Sequence, residues 1–196
     1  MEDRFFITPD DLSKRIRNKI EKRGLVGLRG LGTLYRQSEE NPNQEFNLDV
    51  EVPKLLSDFG VFINHTEVVE LKRILGKMKF DHVNLIDLVD FITPRMNDAR
   101  LGIIEKVYKL KDSENTGNLE IEKMRNISHF QTSAVTLLAA KQSSPEALFQ
   151  NLIRLYEKEG ASAIPRDDFF DYYRLVSANI ESDHEFITMV KASWGI

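Results

Sequence analysis

The chain has 196 residues, of which 41% are hydrophobic and none is cysteine, and its formal net charge is -4. That length suffices for one domain, or for two lobes of roughly 100 residues each, with a core that holds without covalent staples. Lack of cysteine excludes disulfides, thiolate zinc sites and cysteine nucleophiles; no apolar run approaches the roughly 18 residues of a membrane span, and the acidic start lacks an apolar signal region, so a cytoplasmic chain without membrane contact is expected.

The predicted elements are helical throughout. Thr8-Pro9-Asp10-Asp11 is a helix start, with a capping hydroxyl, a proline at the first helical position and acids at the positive end of the dipole. Leu12, Ile16 and Ile20 then recur every four residues, the spacing of one helix face. Asn64 to Thr66 cap a helix carrying Val68, Leu71, Ile74 and Leu75. Thr93-Pro94 ends the helix of Leu88, Phe91 and Ile92. Leu101, Ile104, Val107 and Tyr108 mark the next. Ser144-Pro145-Glu146 repeats the cap-then-proline device before Leu148, Phe149, Leu152, Ile153 and Tyr156. Phe169, Phe170, Tyr173 and Val176 follow, and Ser182 caps a last helix with Phe186, Met189, Val190 and Trp194.

Charge is unevenly placed. Residues 14 to 36 carry eight basic side chains against Glu21 alone. A helix face with Lys14, Arg15, Arg17, Lys22 and Arg23 is therefore either a contact for an acidic partner or an ordinary solvated face. At the other end, the stripe of Phe186, Met189 and Trp194 is either an apolar contact or core.

The polar stretches between helices have a shared form. Asp112 to Lys123 reads as an EF-hand loop. Calcium needs oxygens at positions 1, 3, 5, 7 and 9, glycine at 6 for a sharp turn and a bidentate acid at 12. Asp112, Glu114, Thr116, Asn118 and Glu120 stand at the five oxygen positions, and Gly117 stands at 6. Leu119 fills the apolar position 8, which pairs with a sister loop. Position 12 is Lys123, which removes two oxygens and adds a repelling charge.

Counting from an apolar position 8 yields three more loops: Gly76 to Asp87 about Val83, Glu157 to Asp168 about Ile164, and Glu39 to Val50 about Phe46, where one extra residue would make Glu51 the last acid. The four positions recur at intervals of 37, 36 and 45 residues, a repeated helix-loop-helix unit with an insertion before the last. Oxygen is scarce in all three. Loop two places Gly76, Met78 and Phe80 at positions 1, 3 and 5; loop four places Ala161 at 5 and Pro165 at 9; loop one has Pro42 and no central glycine. These read as structural turns joining paired helices.

Arg23 to Gly32 before the first loop resembles calcyphosin and calcyphosin-like proteins. So do Pro94-Arg95-Met96-Asn97-Asp98-Ala99-Arg100 and the ending with Tyr172, Tyr173, Val176, Ser177, Ala178, Ile180, Asp183, Phe186, Met189 and Trp194. The resemblance covers roughly residues 20 to 196. It implies four EF-hands in two paired lobes and a C-terminal helix ending near a tryptophan. Family members usually keep acidic loops and bind calcium; this chain departs at the ligand positions, and also in the stretch from Ile127 to Ser143. By analogy the family points to axonemes.

Other chemistry finds little support. Gly27-Leu28-Arg29-Gly30-Leu31-Gly32 has the wrong spacing for a dinucleotide loop and follows no strand; helix glycines more often admit a close neighbour. His65, His82, His129 and His184 have no partner at three or four residues' distance, unlike zinc ligands. The Asp10-Asp11 and Asp167-Asp168 pairs sit where helix starts want acids. Only Tyr35 interleaves the basic segment, too little aromatic surface for nucleic acid.

The expectation is thus an all-α chain with a basic N-terminal helix over 1–23, a first EF-hand lobe over 24–96, and a second lobe with a C-terminal helix over 97–196. Its expected role is non-catalytic, structural and calcium-independent, without cofactor, nucleic acid or membrane, at ciliary axonemal microtubules with tubulin or another axonemal protein as partner. The alternative is a calcium sensor with weak calcium at loop three, opening a groove for a target helix.

Overall fold

A computed structural model describes residues 7–76, 81–125 and 145–196. Met78, Phe80, His129, Ser144 and the stretch from Ile127 to Ser143 lie outside the described residues, as do the side chains of Leu148 and Phe149. Two compact units divide the chain at Pro94 and Arg95.

The first unit runs α1 (Pro9–Lys22), α2 (Leu25–Glu40), β1 (Glu45–Asn47), α3 (Glu51–Ser57), α4 (His65–Leu75), β2 (His82–Asn84) and α5 (Leu85–Ile92). Thr8 Oγ1 accepts from the Asp11 amide at 3.1 Å, so the cap read from sequence starts α1. Asn64 and Glu67 form a reciprocal capping box on α4. Leu12, Ile16 and Ile20 are fully buried, and α1 packs on α2, α4 and α5 within this unit. A methyl group at Gly30 would stand 2.2 Å from Phe59 Cγ, so the glycine lets α2 approach the end of α3.

Arg17 does not belong to the exposed basic face of α1. It is buried, and its Nη1 donates to Ile92 O at 2.8 Å and to Ser13 Oγ at 3.2 Å. Ile92 ends α5, where carbonyls lack helical partners, and the guanidinium supplies one. Burial lowers the Arg17 pKa. Lys19 also turns to structure, donating to Phe62 O and to the buried Glu67 carboxylate.

The second unit runs α6 (Asp98–Lys111), β3 (Asn118–Glu120), α7 (Ile121–Arg125), α8 (Pro145–Lys158), β4 (Ala163–Pro165), α9 (Arg166–Ser177) and α10 (Asp183–Trp194). Asn97 and Ser182 cap α6 and α10 through side-chain oxygens. The core is aromatic. Phe169 lies 5.0 Å from Tyr173 and 5.5 Å from Trp194, with tilted or edge-on rings. Trp194 Nε1 donates to the Tyr173 hydroxyl, so the buried indole is satisfied. Phe186, Met189 and Trp194 are all buried, and the α10 stripe is therefore core packing and not an exposed apolar contact.

Each unit contains a short antiparallel strand pair. Phe46 faces Val83 in the first, and Leu119 faces Ile164 in the second, the four apolar loop positions singled out by spacing. The chain is mostly helical, with ten helices among the described residues and short paired strands, an arrangement consistent with EF-hand domains.

Candidate cation loops

Loop three is built around Asp112, which ends α6. Its Oδ1 accepts from the Thr116 amide at 2.7 Å, and its Oδ2 accepts from the Gly117 amide at 2.8 Å. The Thr116 hydroxyl lies 2.9 Å from both Asp112 Oδ1 and Asn118 O, and accepts from the Asn118 amide at 3.2 Å. Gly117 turns with a φ of 77°, the left-handed conformation that glycine adopts at no steric cost. Desolvation works against ionisation of Asp112. The hydrogen bonds from Thr116 and Gly117, together with the Lys123 charge, outweigh it and hold the carboxyl below the ordinary range.

The other acids of the loop turn to Lys123. Its Nζ stands 3.0 Å from Glu120 Oε1 and 3.3 Å from Glu114 Oε1. The residue at position 12 thus brings an ammonium to the carboxylates at positions 9 and 3. These contacts raise the Lys123 pKa, the Glu120 hydrogen bond first and the Glu114 bond second. Among the described residues no group of three or more His, Asp or Glu side chains is arranged to hold a metal ion. Asp112, Glu114, Thr116, Asn118 and Glu120 share one loop, but Asp112 is bound to backbone amides while Glu114 and Glu120 face the lysine.

Loop four has lost its first positions to helix. α8 continues through Glu157 and Lys158, which the spacing put at positions 1 and 2. Its last acid, Asp168, is buried and accepts from the Tyr156 hydroxyl at 2.7 Å, so the carboxylate closes the core. Loop one repeats this loss, since α2 runs through Glu39 and Glu40. Asn47 Oδ1 accepts from the Asp49 and Val50 amides, and Glu51 Oε2 accepts from the Asn47 amide at 2.7 Å. These are turn and capping bonds, which acids and amides make without an ion. In loop two, Gly76 ends α4 and Asp87 lies exposed in the first turn of α5.

One residue that spacing did not single out joins the first unit's loops. Lys72 Nζ lies 2.8 Å from Asp49 Oδ2 and 3.0 Å from Asp81 Oδ2, linking the segment after β1 with the residue before β2. The Asp49 and Asp81 hydrogen bonds raise its pKa. No local pattern advertises this triplet, because its members lie far apart in sequence.

On the proposed basic face, Lys14, Arg15, Lys22 and Arg23 are exposed. Asp11, Asn18 and Glu21 share the solvent side of α1, so the stripe is mixed in charge.

No family model matches the chain. A curated relative, crustacean calcium-binding protein 23 from Faxonius limosus, is 20% identical over 189 residues, covering 95% of this chain and 92% of the relative. The chain is a distant relative of that calcium-binding protein, with an alignment that runs almost end to end. No helix among the described residues is long and apolar enough to cross a membrane.

Proposed function

We propose that this chain is a non-catalytic EF-hand protein with four helix-loop-helix units in two paired lobes, and that it works as a calcium-independent interaction module. The observation that carries this reading is Lys123: position 12 of the best-formed loop presents an ammonium to Glu114 and Glu120, where calcium would need a bidentate acid. The four paired strand positions and the end-to-end alignment with a calcium-binding relative support the EF-hand architecture. The calcyphosin-like reading draws support from one contact set: Asn97 and Arg100 of the Pro94–Arg100 segment bind Asp183 of the C-terminal segment.

The partner surface in this reading is the exposed part of α1 with Lys14, Arg15, Lys22 and Arg23, and the partner is acidic. Its placement at ciliary microtubules, with tubulin as partner, rests on the family resemblance alone.

A calcium-sensing role is the second reading, favoured by likeness to a protein named for calcium binding and by the preformed turn at Asp112. Calorimetry with calcium separates the two. No heat of binding at micromolar calcium is expected. Micromolar binding abolished by Asp112→Ala would overturn the calcium-independent reading.

A further inference from the structure

We infer that the Lys123 ammonium serves as the resident cation of loop three, holding the second unit's strand pair formed without a metal ion. The inference deepens the calcium-independent reading proposed above. In a calcium loop, the acid at position 12 ties the outgoing helix to the ligands ahead of it through the ion. Here α7 carries Lys123 at that position. Its Nζ reaches Glu114, which precedes β3, and Glu120, which ends β3. The ammonium therefore makes the mechanical link directly.

Charge gives the link its purpose. Asp112, Glu114, Glu120 and Glu122 lie within one short stretch of chain. Carboxylates held together without counter-charge repel one another. Lys123 supplies that charge from within, and its field also helps to keep Asp112 ionised. The first unit has an independent counterpart. Lys72 joins Asp49 and Asp81 across its own loops, at 2.8 Å and 3.0 Å. In both units an ammonium bridges two loop carboxylates beside the strand pair. Single exposed ion pairs contribute little, but a cation shared by two carboxylates forms a small network with a local effect.

The test uses the full chain and hydrogen exchange at the Ile121 and Arg166 amides, whose bonds to Ser162 O and Gly117 O flank the β3–β4 pair. In chelator, Lys123→Glu should exchange faster than wild type at both amides, and millimolar calcium should restore protection by supplying the missing positive charge. Wild type and Lys123→Arg should exchange alike, with or without calcium. Should Lys123→Glu fail to fold, Lys123→Gln in chelator gives the same reading through faster exchange at both amides. Wild-type protection in the glutamate or glutamine variant in chelator, or a glutamate variant that calcium does not restore, would overturn the inference. Calcium-dependent protection in wild type itself would instead overturn the calcium-independent function, which keeps the two failures distinct.

Discussion

Arg100 Nε donates to Asp183 Oδ1 at 2.6 Å, joining the start of α6 to the start of α10 across 83 positions of sequence. The rest of the guanidinium is used as well. Nη1 donates to Ser177 O and Ser177 Oγ, each at 2.9 Å, and Nη2 donates to Glu181 O at 3.0 Å. The guanidinium carbon lies 5.1 Å from the centre of the Phe186 ring. One side chain thus ties the end of α9, the following turn and α10 to α6. Its planar fork of donors explains why lysine would not substitute.

Arg100→Ala should therefore lower stability by about 2 kcal/mol, because hydrogen bonds to a charged group are lost and the Glu181 carbonyl loses its guanidinium donor. Arg100→Lys should recover only part of that. Urea unfolding of the full chain, followed by circular dichroism, measures both.

Asp183 adds a pH dependence to the same clamp. The Arg100 hydrogen bond first, and the Asn97 bond second, hold its carboxyl below the ordinary range. A depressed folded-state pKa contributes stability that is fully present above the unfolded value, near 3.9 for aspartate, and is lost as pH falls through the folded value. Wild type should lose stability through this acid window. Asp183→Asn should start less stable at neutral pH and show a shallower acid dependence, read from urea midpoints between neutral pH and pH 3.

How much of this was legible in the sequence depended on range. The helix caps at Thr8, Asn64 and Ser182 are local signals, and all three caps are made. The paired positions Phe46 with Val83 and Leu119 with Ile164 followed from period, because the apolar position 8 of a repeated loop has a fixed place. Arg17 misled for a physical reason. Helical spacing sets it on the side of α1 between the apolar stripe and solvent, and only the end of α5 decides that its guanidinium goes inward. Lys72, Asp49 and Asp81 share no local pattern and meet only when the loops fold together. Lys123 was visible as a misfit at position 12, but its approach to Glu114 and Glu120 is a matter of side-chain geometry.

Gly30→Ala should destabilise the first unit. A Cβ there meets Phe59 Cγ at 2.2 Å and Phe59 Cβ at 2.5 Å, and Phe59 is buried, so the ring has little room to retreat. Helix propensity alone would favour alanine by about 1 kcal/mol. Overpacking in a close-packed site costs about 1–3 kcal/mol and should win. A lower thermal midpoint for Gly30→Ala, recovered in part by pairing it with Phe59→Leu, is the expected result.

Trp194 is a reporter as well as a core residue. It is fully buried and is the chain's one tryptophan. Its emission should be blue-shifted in the native state and move red on unfolding of the second unit. Trp194→Ala should cost about 3–5 kcal/mol, in the range of large aromatic truncations in cores. Trp194→Phe should cost less, but it leaves the Tyr173 hydroxyl without the indole donor. A Trp194→Ala variant as stable as wild type in urea would contradict the full burial of the indole.

The basic residues of α1 divide into two kinds, and the division makes a testable contrast. Lys14, Arg15, Lys22 and Arg23 are exposed, whereas Arg17 is buried against Ser13 and Ile92 O. Reversing the four exposed residues to glutamate should leave the fold intact and weaken capture of an acidic partner. Acidic-tailed microtubules in a co-sedimentation assay are the probe for which the family analogy argues. Rim charges act on encounter and are screened by salt, so wild-type binding should also weaken as salt rises. Arg17→Ala should behave in the opposite way. It removes the donor to Ile92 O and should lower stability by about 2 kcal/mol, with any loss of binding following from unfolding and not from lost surface charge. Binding that ignores both salt and the fourfold reversal would remove α1 as the contact. An Arg17→Ala variant with wild-type stability but lost binding would return Arg17 to the partner surface.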